Sequence, residues 1–328
     1  MNPKENALHI LRFDHPERVV GGLPCHAIVY HGSNHEGYAG GGHHLPVGSS
    51  WQDIWGTTWM KEQDGVMGFP RGNPLADLRA LSTYRWPDPD DERICGLIYQ
   101  SVEGYHREEQ FLCGSHRDTL WEKSYMLVGM ENMMCNFHAE PDAAREILHR
   151  IMDFQLGIAR HYLSLGVELV MMGDDLGTQR ALLLSPRIIQ EFLVPEYRRL
   201  FDLYKQHGVL VSFHSCGHIE PILDVFMDLG VDCLNPIQAS ANDLEELRRK
   251  TQGRMALLGG IGSALIMSGP PEAIRREVRR RLWQLGREGG YFCGPDQGLP
   301  FPKAHEQALA DAIAEYGHYP LQPPPPEE

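Results

Sequence analysis

Two residues of types that bind metal ions, His214 and Cys216, lie two positions apart, and a third, Cys293, lies further along the chain. Residues i and i+2 of an extended segment point to the same side, so His214 and Cys216 could reach one ion. An imidazole and two thiolates suit Zn²⁺ and would leave a fourth position open for catalysis. The two cysteines could equally be small buried residues, because free cysteine is often buried. The pattern therefore leaves a zinc site and a structural role open alike.

Carboxylates elsewhere in the sequence could complete such a site or serve as acid and base. Asp174 and Asp175 follow an apolar run and could be catalytic, could provide a fourth ligand, or could form a turn that ends a strand. Glu36 follows the first predicted strand, where its carboxylate could complete a tetrahedral site or lie exposed in a loop. We predict Asp174 and Asp175 as catalytic residues and Glu36 as a metal ligand.

Three polar residues are predicted to bind substrate. His35 belongs to a histidine-rich segment after the first predicted strand, and such segments can bind metal or lie in solvent. Gln179 follows the Asp174-Asp175 pair, and Gln238 follows another predicted strand.

Strands and helices alternate regularly from residue 141 onward and would position these side chains. Apolar runs at 167–172, 209–213, 231–234, 255–258 and 290–293 are separated by amphipathic helical segments, which predicts parallel pairing with helical crossovers. Further candidate strands at 25–30, 111–114 and 125–130 bring the number to eight. Eight such strands close a (β/α)8 TIM-type barrel, an α/β fold whose active sites lie at the carboxyl ends of the strands.

The predicted domain organisation is a single barrel with one long insertion. We expect one domain over residues 1–320, with residues 32–110 after the first strand forming a lid or a partner-binding surface. Within that segment Trp51, Trp55 and Trp59 recur at a helical spacing that favours a buried helix face. The proline-rich segment 321–328 is predicted to be a disordered tail.

The composition excludes several classes of function. Lys and Arg number 30 against 44 Asp and Glu, so the net charge of −14 argues against a nucleic-acid partner. We find no apolar stretch long enough for a membrane helix and no signal-like N-terminus. Seven cysteines spread over a long chain are typical of reduced thiols, so a cytoplasmic location is expected.

Four segments resemble the uroporphyrinogen decarboxylase superfamily, a family of β/α barrels. The resemblance is good from about residue 141 to residue 316 and loose in the N-terminal part. The segments are Gly173–Gln179, Phe213–Gly217, Gly230–Gln238 and Cys293–Asp296.

One branch of that superfamily consists of corrinoid-dependent methyltransferases with a His-x-Cys…Cys zinc motif. This sequence matches the motif at His214, Cys216 and Cys293. The resemblance implies Zn²⁺ as the metal and a corrinoid (cobalamin) carried by a separate partner protein. In relatives a glutamate from the N-terminal part of the barrel can supply a fourth ligand, and Glu36 is the best-placed match.

The resulting hypothesis is a zinc-dependent methyltransferase that moves a methyl group between a small substrate and a corrinoid protein. The substrate would be a methoxylated compound or a thiol acceptor, and a homodimer is possible. A metal-free tetrapyrrole decarboxylase with Asp174 or Asp175 as acid/base is the alternative. It is disfavoured because no arginine lies between Arg18 and Arg71 to bind substrate carboxylates. A non-enzymatic corrinoid or metal carrier is the third possibility.

Overall fold

Seven parallel strands form the main sheet, and each pairs with the strand of that sheet that follows it in the sequence. The structure is a computed structural model and describes residues 1–325. The order in the main sheet is β1-β5-β6-β7-β8-β9-β10, and β2-β3-β4 form a small antiparallel sheet. The strands are β1 (Cys25–Ile28), β2 (Ser50–Gln52), β3 (Thr58–Met60), β4 (Phe69–Gly72), β5 (Phe111–His116), β6 (Leu169–Gly173), β7 (Leu210–His214), β8 (Cys233–Ile237), β9 (Ala256–Ile261) and β10 (Tyr291–Pro295).

Helices connect successive strands of the main sheet and cover its outer face. The helices predicted after Pro141 and after Ser185 are confirmed, and the Ser185 side chain accepts a hydrogen bond from the Ile188 N–H at 3.3 Å. The helices are α1 (Pro3–Arg12), α2 (Glu92–Gln100), α3 (Trp121–Val128), α4 (Met130–Ala139), α5 (Pro141–Ser164), α6 (Pro186–Ile188), α7 (Val194–Gln206), α8 (Leu223–Leu229), α9 (Leu244–Thr251), α10 (Ser263–Ser268), α11 (Pro271–Arg281) and α12 (Lys303–Tyr316), with 3-10 turns at Leu78–Thr83 and Glu220–Ile222 and π-helical turns at Ile189–Leu193 and Leu282–Gly286.

The sheet curls until its two edges approach each other. The N–H of Cys293, on the last strand, donates to the carbonyl of Val20, just before the first strand, at 2.9 Å. The Val19 N–H donates to the carbonyl of Gly317, beyond α12, at 2.8 Å. The segment before β1 therefore connects the two edges of the sheet.

Alternation along the strands separates two apolar cores. Phe111, Cys113 and Phe292 belong to a small cluster inside the sheet, which also contains residues of α1. Leu112 and Tyr291 belong to the larger cluster between the sheet and the helices. Because side chains alternate along a strand, neighbouring residues are assigned to opposite faces.

The predicted TIM-type barrel architecture is confirmed, but one of the eight predicted strands is wrong. Residues 125–130 fall in and just after α3. The apolar residues Met126, Leu127 and Val128 of this segment are buried, as are most residues of α3. A short apolar run does not distinguish a buried strand from a buried helix. The described residues therefore contain seven strands in the main sheet.

The segment 32–110, which we call the lid, contains the small antiparallel sheet and α2. Trp51 on β2 lies opposite Trp59 on β3, and their rings stack with centroids 6.4 Å apart. The helical interpretation of the tryptophan spacing is therefore wrong. Residues eight apart happen to face each other across a hairpin here.

Part of the predicted disordered tail lies outside the described residues. Leu321 is buried against the larger core, and Arg279 donates to the carbonyl of Pro323 at 3.0 Å. Residues 326–328 are not among those described. Among residues 1–325, the helices are too short or too polar to cross a membrane.

Candidate metal centre

Three side chains with metal-binding atoms converge at the carboxyl ends of β6 and β7. Asp175, His214 and Cys216 offer a carboxylate oxygen, an imidazole nitrogen and a sulfur that all lie within 4.8 Å of one another. The Nε2 atom of His214 is 3.4 Å from the sulfur of Cys216 and 3.5 Å from Oδ1 of Asp175. The His214 side chain is 46% exposed and that of Asp175 is 40% exposed, so the group is open to solvent.

Direct contact between two loop backbones brings these residues together. A Cβ atom on Gly217 would lie 2.4 Å from the carbonyl carbon of Gly177, and one on Gly177 would lie 2.8 Å from the nitrogen of His218. Gly217 also has a φ of +85°, which favours glycine. The His218 N–H donates to the carbonyl of Thr178 at 2.7 Å across this contact. Glycine at both positions therefore permits the loop with Asp175 to pack against the loop with Cys216.

The neighbouring amide of Asn235 orients the imidazole of His214. Asn235 donates from Nδ2 to Ser212 Oγ at 3.0 Å and to the Phe213 carbonyl at 3.3 Å. Its Oδ1 atom must therefore accept from Nδ1 of His214, at 3.1 Å. The proton on Nδ1 leaves Nε2 free for a metal ion, as is usual for histidine ligands.

Hydrogen bonds also fix the other two members of the group. Oδ1 of Asp175 accepts the N–H of Cys216 at 2.9 Å, and the Nε2 amide of Gln297 donates to the sulfur of Cys216 at 2.8 Å. Burial and the Asp175 charge raise the pKa of the Cys216 thiol to about 12. Burial opposes the charged form of His214, but the Asp175 carboxylate outweighs it and raises the pKa.

The donor set fits Zn²⁺. Imidazole nitrogen, thiolate sulfur and carboxylate oxygen are the three ligand types of protein zinc sites, and three protein ligands with an open position are typical of catalytic sites. Both Nε2 of His214 and Oδ1 of Asp175 point to the same region as the Cys216 sulfur. A metal ion would bind the thiolate form, so its binding would release the thiol proton.

Cys293, which the sequence predicted as the third ligand, does not join this group in the structure. Its side chain is fully buried and belongs to the larger core with Tyr291, whereas Phe292 between them belongs to the inner cluster. The charges that influence its thiol are those of Glu277 and Arg281 on α11, outside the sheet. Alternation along β10 thus directs Cys293 toward the helices and away from the carboxyl-end loops.

Asp174, predicted as a catalytic residue, lies in a buried environment rich in hydrogen bonds. It is fully buried. Its carboxylate accepts the backbone N–H groups of Leu120 at 2.9 Å and Glu122 at 2.8 Å, together with the Tyr197 hydroxyl. Burial raises its pKa to about 7, although these donors favour the charged form. Asp174 therefore stabilises the start of α3, and Asp175 alone of the pair faces the candidate site.

Glu36, predicted as a fourth ligand, lies in the lid and is not part of the three-residue group. Its Oε2 atom accepts the N–H of Gly32 at 3.0 Å and that of Asn34 at 3.1 Å. The carboxylate thereby closes its own turn, as acidic side chains often do in loops.

His35 is fully buried, so it offers no surface to a substrate in this structure. The N–H of Gly68 donates to Nδ1 of His43 at 2.8 Å, which leaves Nε2 of His43 to donate to Nδ1 of His35 at 2.8 Å. Nε2 of His35 in turn donates to Asp118, after β5. His35 therefore connects the lid to the barrel, and burial lowers its pKa.

Gln238 and Gln179 support the loop that carries Cys216. Oε1 of Gln238 accepts from the Gly217 N–H and from Nε2 of Gln179, both at 2.8 Å. Oε1 of Gln179 accepts from Ser240 at 2.9 Å. Gln238 is buried and Gln179 is exposed, so only the latter is open to a ligand.

The sequence analysis missed three residues of the site, Asn235, Gln297 and Glu122. Asn235 and Gln297 follow predicted strands, and that position was the available signal. Glu122 is the second carboxyl group after β5; it accepts the Asp175 N–H at 3.2 Å. Burial and the nearby carboxylates of Asp118, Asp174 and Asp175 raise its pKa to about 8. No sequence signal identifies Glu122, because it lies in the first turn of α3, and the sequence analysis predicts a strand in place of that helix.

Comparison with curated proteins finds uroporphyrinogen decarboxylases. The one from Edwardsiella ictaluri is 24% identical over 243 residues, covering 70% of this chain and 66% of the relative. The one from Burkholderia pseudomallei strain 1106a is 28% identical over 187 residues, covering 54% of this chain and 48% of the relative. The matched region thus spans less than two thirds of these relatives.

Comparison with solved structures finds the same fold in a methyltransferase from Methanosarcina mazei. The two share a TM-score of 0.72 at 15% identity, over 96% of this chain and 99% of the other. The family model for uroporphyrinogen decarboxylase (URO-D) matches residues 67–316. This match covers most of the chain, including β5 to β10 and the three-residue group. The chain therefore belongs to the uroporphyrinogen decarboxylase (URO-D) family.

Proposed function

We propose that the chain is a zinc-dependent methyltransferase that works with a separate corrinoid protein. The observation that carries this proposal is the convergence of Asp175, His214 and Cys216 at the carboxyl end of the sheet. This set replaces the one expected from the sequence, since Asp175 takes the position assigned to Cys293. The Methanosarcina mazei structure is that of a methyltransferase, which agrees with the proposal, but at 15% identity the comparison bears on the fold alone.

The residues around the centre have separate roles in this proposal. Asp175, His214 and Cys216 hold the ion, Asn235 keeps Nε2 of His214 free, and Gln297 donates to the sulfur. When bound, Zn²⁺ would supply a Lewis acid that polarises a methoxyl oxygen or stabilises an acceptor thiolate. The exposure of His214 and Asp175 leaves room for a substrate, which the neighbouring lid would cover.

Decarboxylation of a tetrapyrrole is the second candidate, because the curated relatives are named for it. A substrate with several carboxylates needs guanidinium partners. Arg117 follows β5 directly, but its guanidinium group contacts Asn34 and Met67 of the lid. The burial of Asp174 further weakens this alternative, since Asp174 was one of its two acid/base candidates.

Zinc content is the first measurement that tests the proposal. The wild-type protein, purified without chelators, should contain about one zinc per chain by mass spectrometry. Cys216→Ala should lower zinc affinity at least about tenfold, because it removes a ligand. Cys293→Ala is the matched control and should retain zinc. Equal losses of zinc in the Cys216→Ala and Cys293→Ala variants would contradict the proposed set of ligands.

Activity then distinguishes the two candidate functions. Zinc-loaded protein should transfer methyl groups from methoxylated compounds to reduced cobalamin, or from methylcobalamin to thiols, and Cys216→Ala should lose this transfer. Release of CO₂ from uroporphyrinogen by zinc-free protein would instead establish the decarboxylase. If neither reaction occurs although zinc binds, a carrier role would replace the proposed enzyme.

A further inference from the structure

The lid contains a cavity of about 540 Å³ that is separate from the metal centre. It is lined by residues 34, 43–46, 61 and 64–67. Its polar lining consists of Asn34, His43, His44, Lys61 and Asp64. Cavities of this size accommodate small organic ligands.

Lys61 is a buried cation on the wall of this cavity. It follows β3 on the same face as Trp59, and the residue is only 5% exposed. Its ammonium group contacts the carbonyl of Val66, a neutral acceptor. Among residues 1–325, Lys61 has no carboxylate within ion-pair distance. A buried charge without a counter-ion is costly, and an ammonium with one acceptor has two donors left.

The other polar groups of the lining leave the charge of Lys61 uncompensated. His43 is held neutral with its Nδ1 atom accepting from Gly68, and burial together with the nearby cations lowers its pKa to about 4. Asp64 is exposed to solvent, so its charge is screened. Arg117 reaches Asn34 and Met67 at the edge of the cavity, and its charge is paired with Asp118 at 3.9 Å.

The remaining wall is apolar. It is formed by Leu45, Pro46, Val66 and Met67. A ligand that fits both parts of the lining carries one negative charge and an apolar body. A carboxylate fits better than a phosphate dianion, because the ammonium of Lys61 provides one unit of charge and the guanidinium of Arg117 is already paired with Asp118.

We propose that the lid cavity is a binding site for a small organic carboxylate, with its oxygens on the ammonium of Lys61 and its apolar body against Leu45, Pro46, Val66 and Met67. The site is distinct from the three-residue metal group, so its occupancy does not depend on the proposed methyl transfer.

Calorimetric titration of metal-free protein with three probes tests this site. Benzoate should bind, and the neutral isostere benzamide should bind at least about tenfold more weakly, because it cannot pair with an ammonium group. Phenylphosphonate should bind no more tightly than benzoate. Absence of benzoate binding up to about 10 mM, or equal binding of benzamide, would overturn the site. Tighter binding of phenylphosphonate would overturn the carboxylate assignment.

Variants separate Lys61 from the general charge of the lid. Lys61→Met should raise the Kd for benzoate at least about tenfold, and Lys61→Arg, which keeps the charge, should retain part of the affinity. Arg71→Met is the matched control, since Arg71 is an exposed cation on β4 that pairs with Glu62. It should change the Kd less than about twofold. The site would be refuted if the two methionine variants had equal effects. It would also be refuted if Lys61→Arg bound benzoate no more tightly than Lys61→Met.

Discussion

Replacing His116 should flatten the dependence of stability on pH. His116 ends β5 and is fully buried. Gln155 uses its Nε2 amide to donate to the Thr119 carbonyl, so its Oε1 atom accepts from Nδ1 of His116 at 2.7 Å. The Tyr204 hydroxyl lies against Nε2 at 2.5 Å and donates to it. The imidazole is therefore neutral in the folded protein, and burial lowers its pKa to about 4.

The size of the effect follows from proton linkage. Between pH 6.5 and about 4 the unfolded chain binds a proton that the folded chain excludes, so the unfolding free energy falls as the pH falls. The contribution is complete above about pH 6.5 and decreases by about 1.4 kcal/mol for each pH unit below it. Wild-type protein should therefore lose about 2 kcal/mol through His116 between pH 7 and pH 5.

Urea denaturation of wild type and His116→Phe at pH 7, 6 and 5 measures this difference. The variant leaves the Oε1 atom of Gln155 and the hydroxyl of Tyr204 without a partner, so it should be less stable at pH 7, by about 1–3 kcal/mol for each unpaired group. Its stability should nevertheless fall less toward pH 5, by about 2 kcal/mol, because the other titrating groups are shared. Parallel pH profiles for the two proteins would refute the reasoning.

Three further substitutions test the site. Asp174→Asn should lower the unfolding free energy by about 1–3 kcal/mol in urea denaturation, because an amide nitrogen would face N–H donors at the start of α3; a stable but inactive variant would instead support a catalytic role. Gly217→Ala should weaken zinc binding in competition titrations at least about tenfold, since its Cβ would lie 2.4 Å from Gly177. Gly208→Ala, with a φ of +71° and no atom near its Cβ, is the control and should leave zinc affinity unchanged. Asn235→Leu should lower zinc affinity about 10- to 100-fold, because it removes the acceptor that orients His214; an unchanged titration would contradict that role.

The regular half of the fold could be predicted from the sequence because its periodicity is strong. The apolar runs ending near Gly173 and His214 are strands, and parallel pairing brings their carboxyl ends together. This alone was enough to bring the Asp174-Asp175 pair to the same edge of the sheet as His214 and Cys216. The segment 125–130 could not be assigned, because its apolar run is compatible with either a strand or a buried helix.

The face on which a residue lies could not be predicted from the sequence. A shift of one residue along β10 would exchange the sides of Phe292 and Cys293, and nothing in the residue types fixes that register. The same holds for the neighbours Asp174 and Asp175, of which one is buried under α3 and the other faces the site. Gln297 contacts Cys216 only because both loops curve toward each other.

The bond between Val20 and Cys293 joins positions near opposite ends of the chain. Loop closure over such a separation carries a large entropic cost, and such distant pairings form slowly. During synthesis, the segment before β1 could therefore not pair with β10 until residue 293 had left the ribosome. The nascent chain would present an unpaired strand edge during that interval, a surface prone to aggregation and suited to chaperone binding.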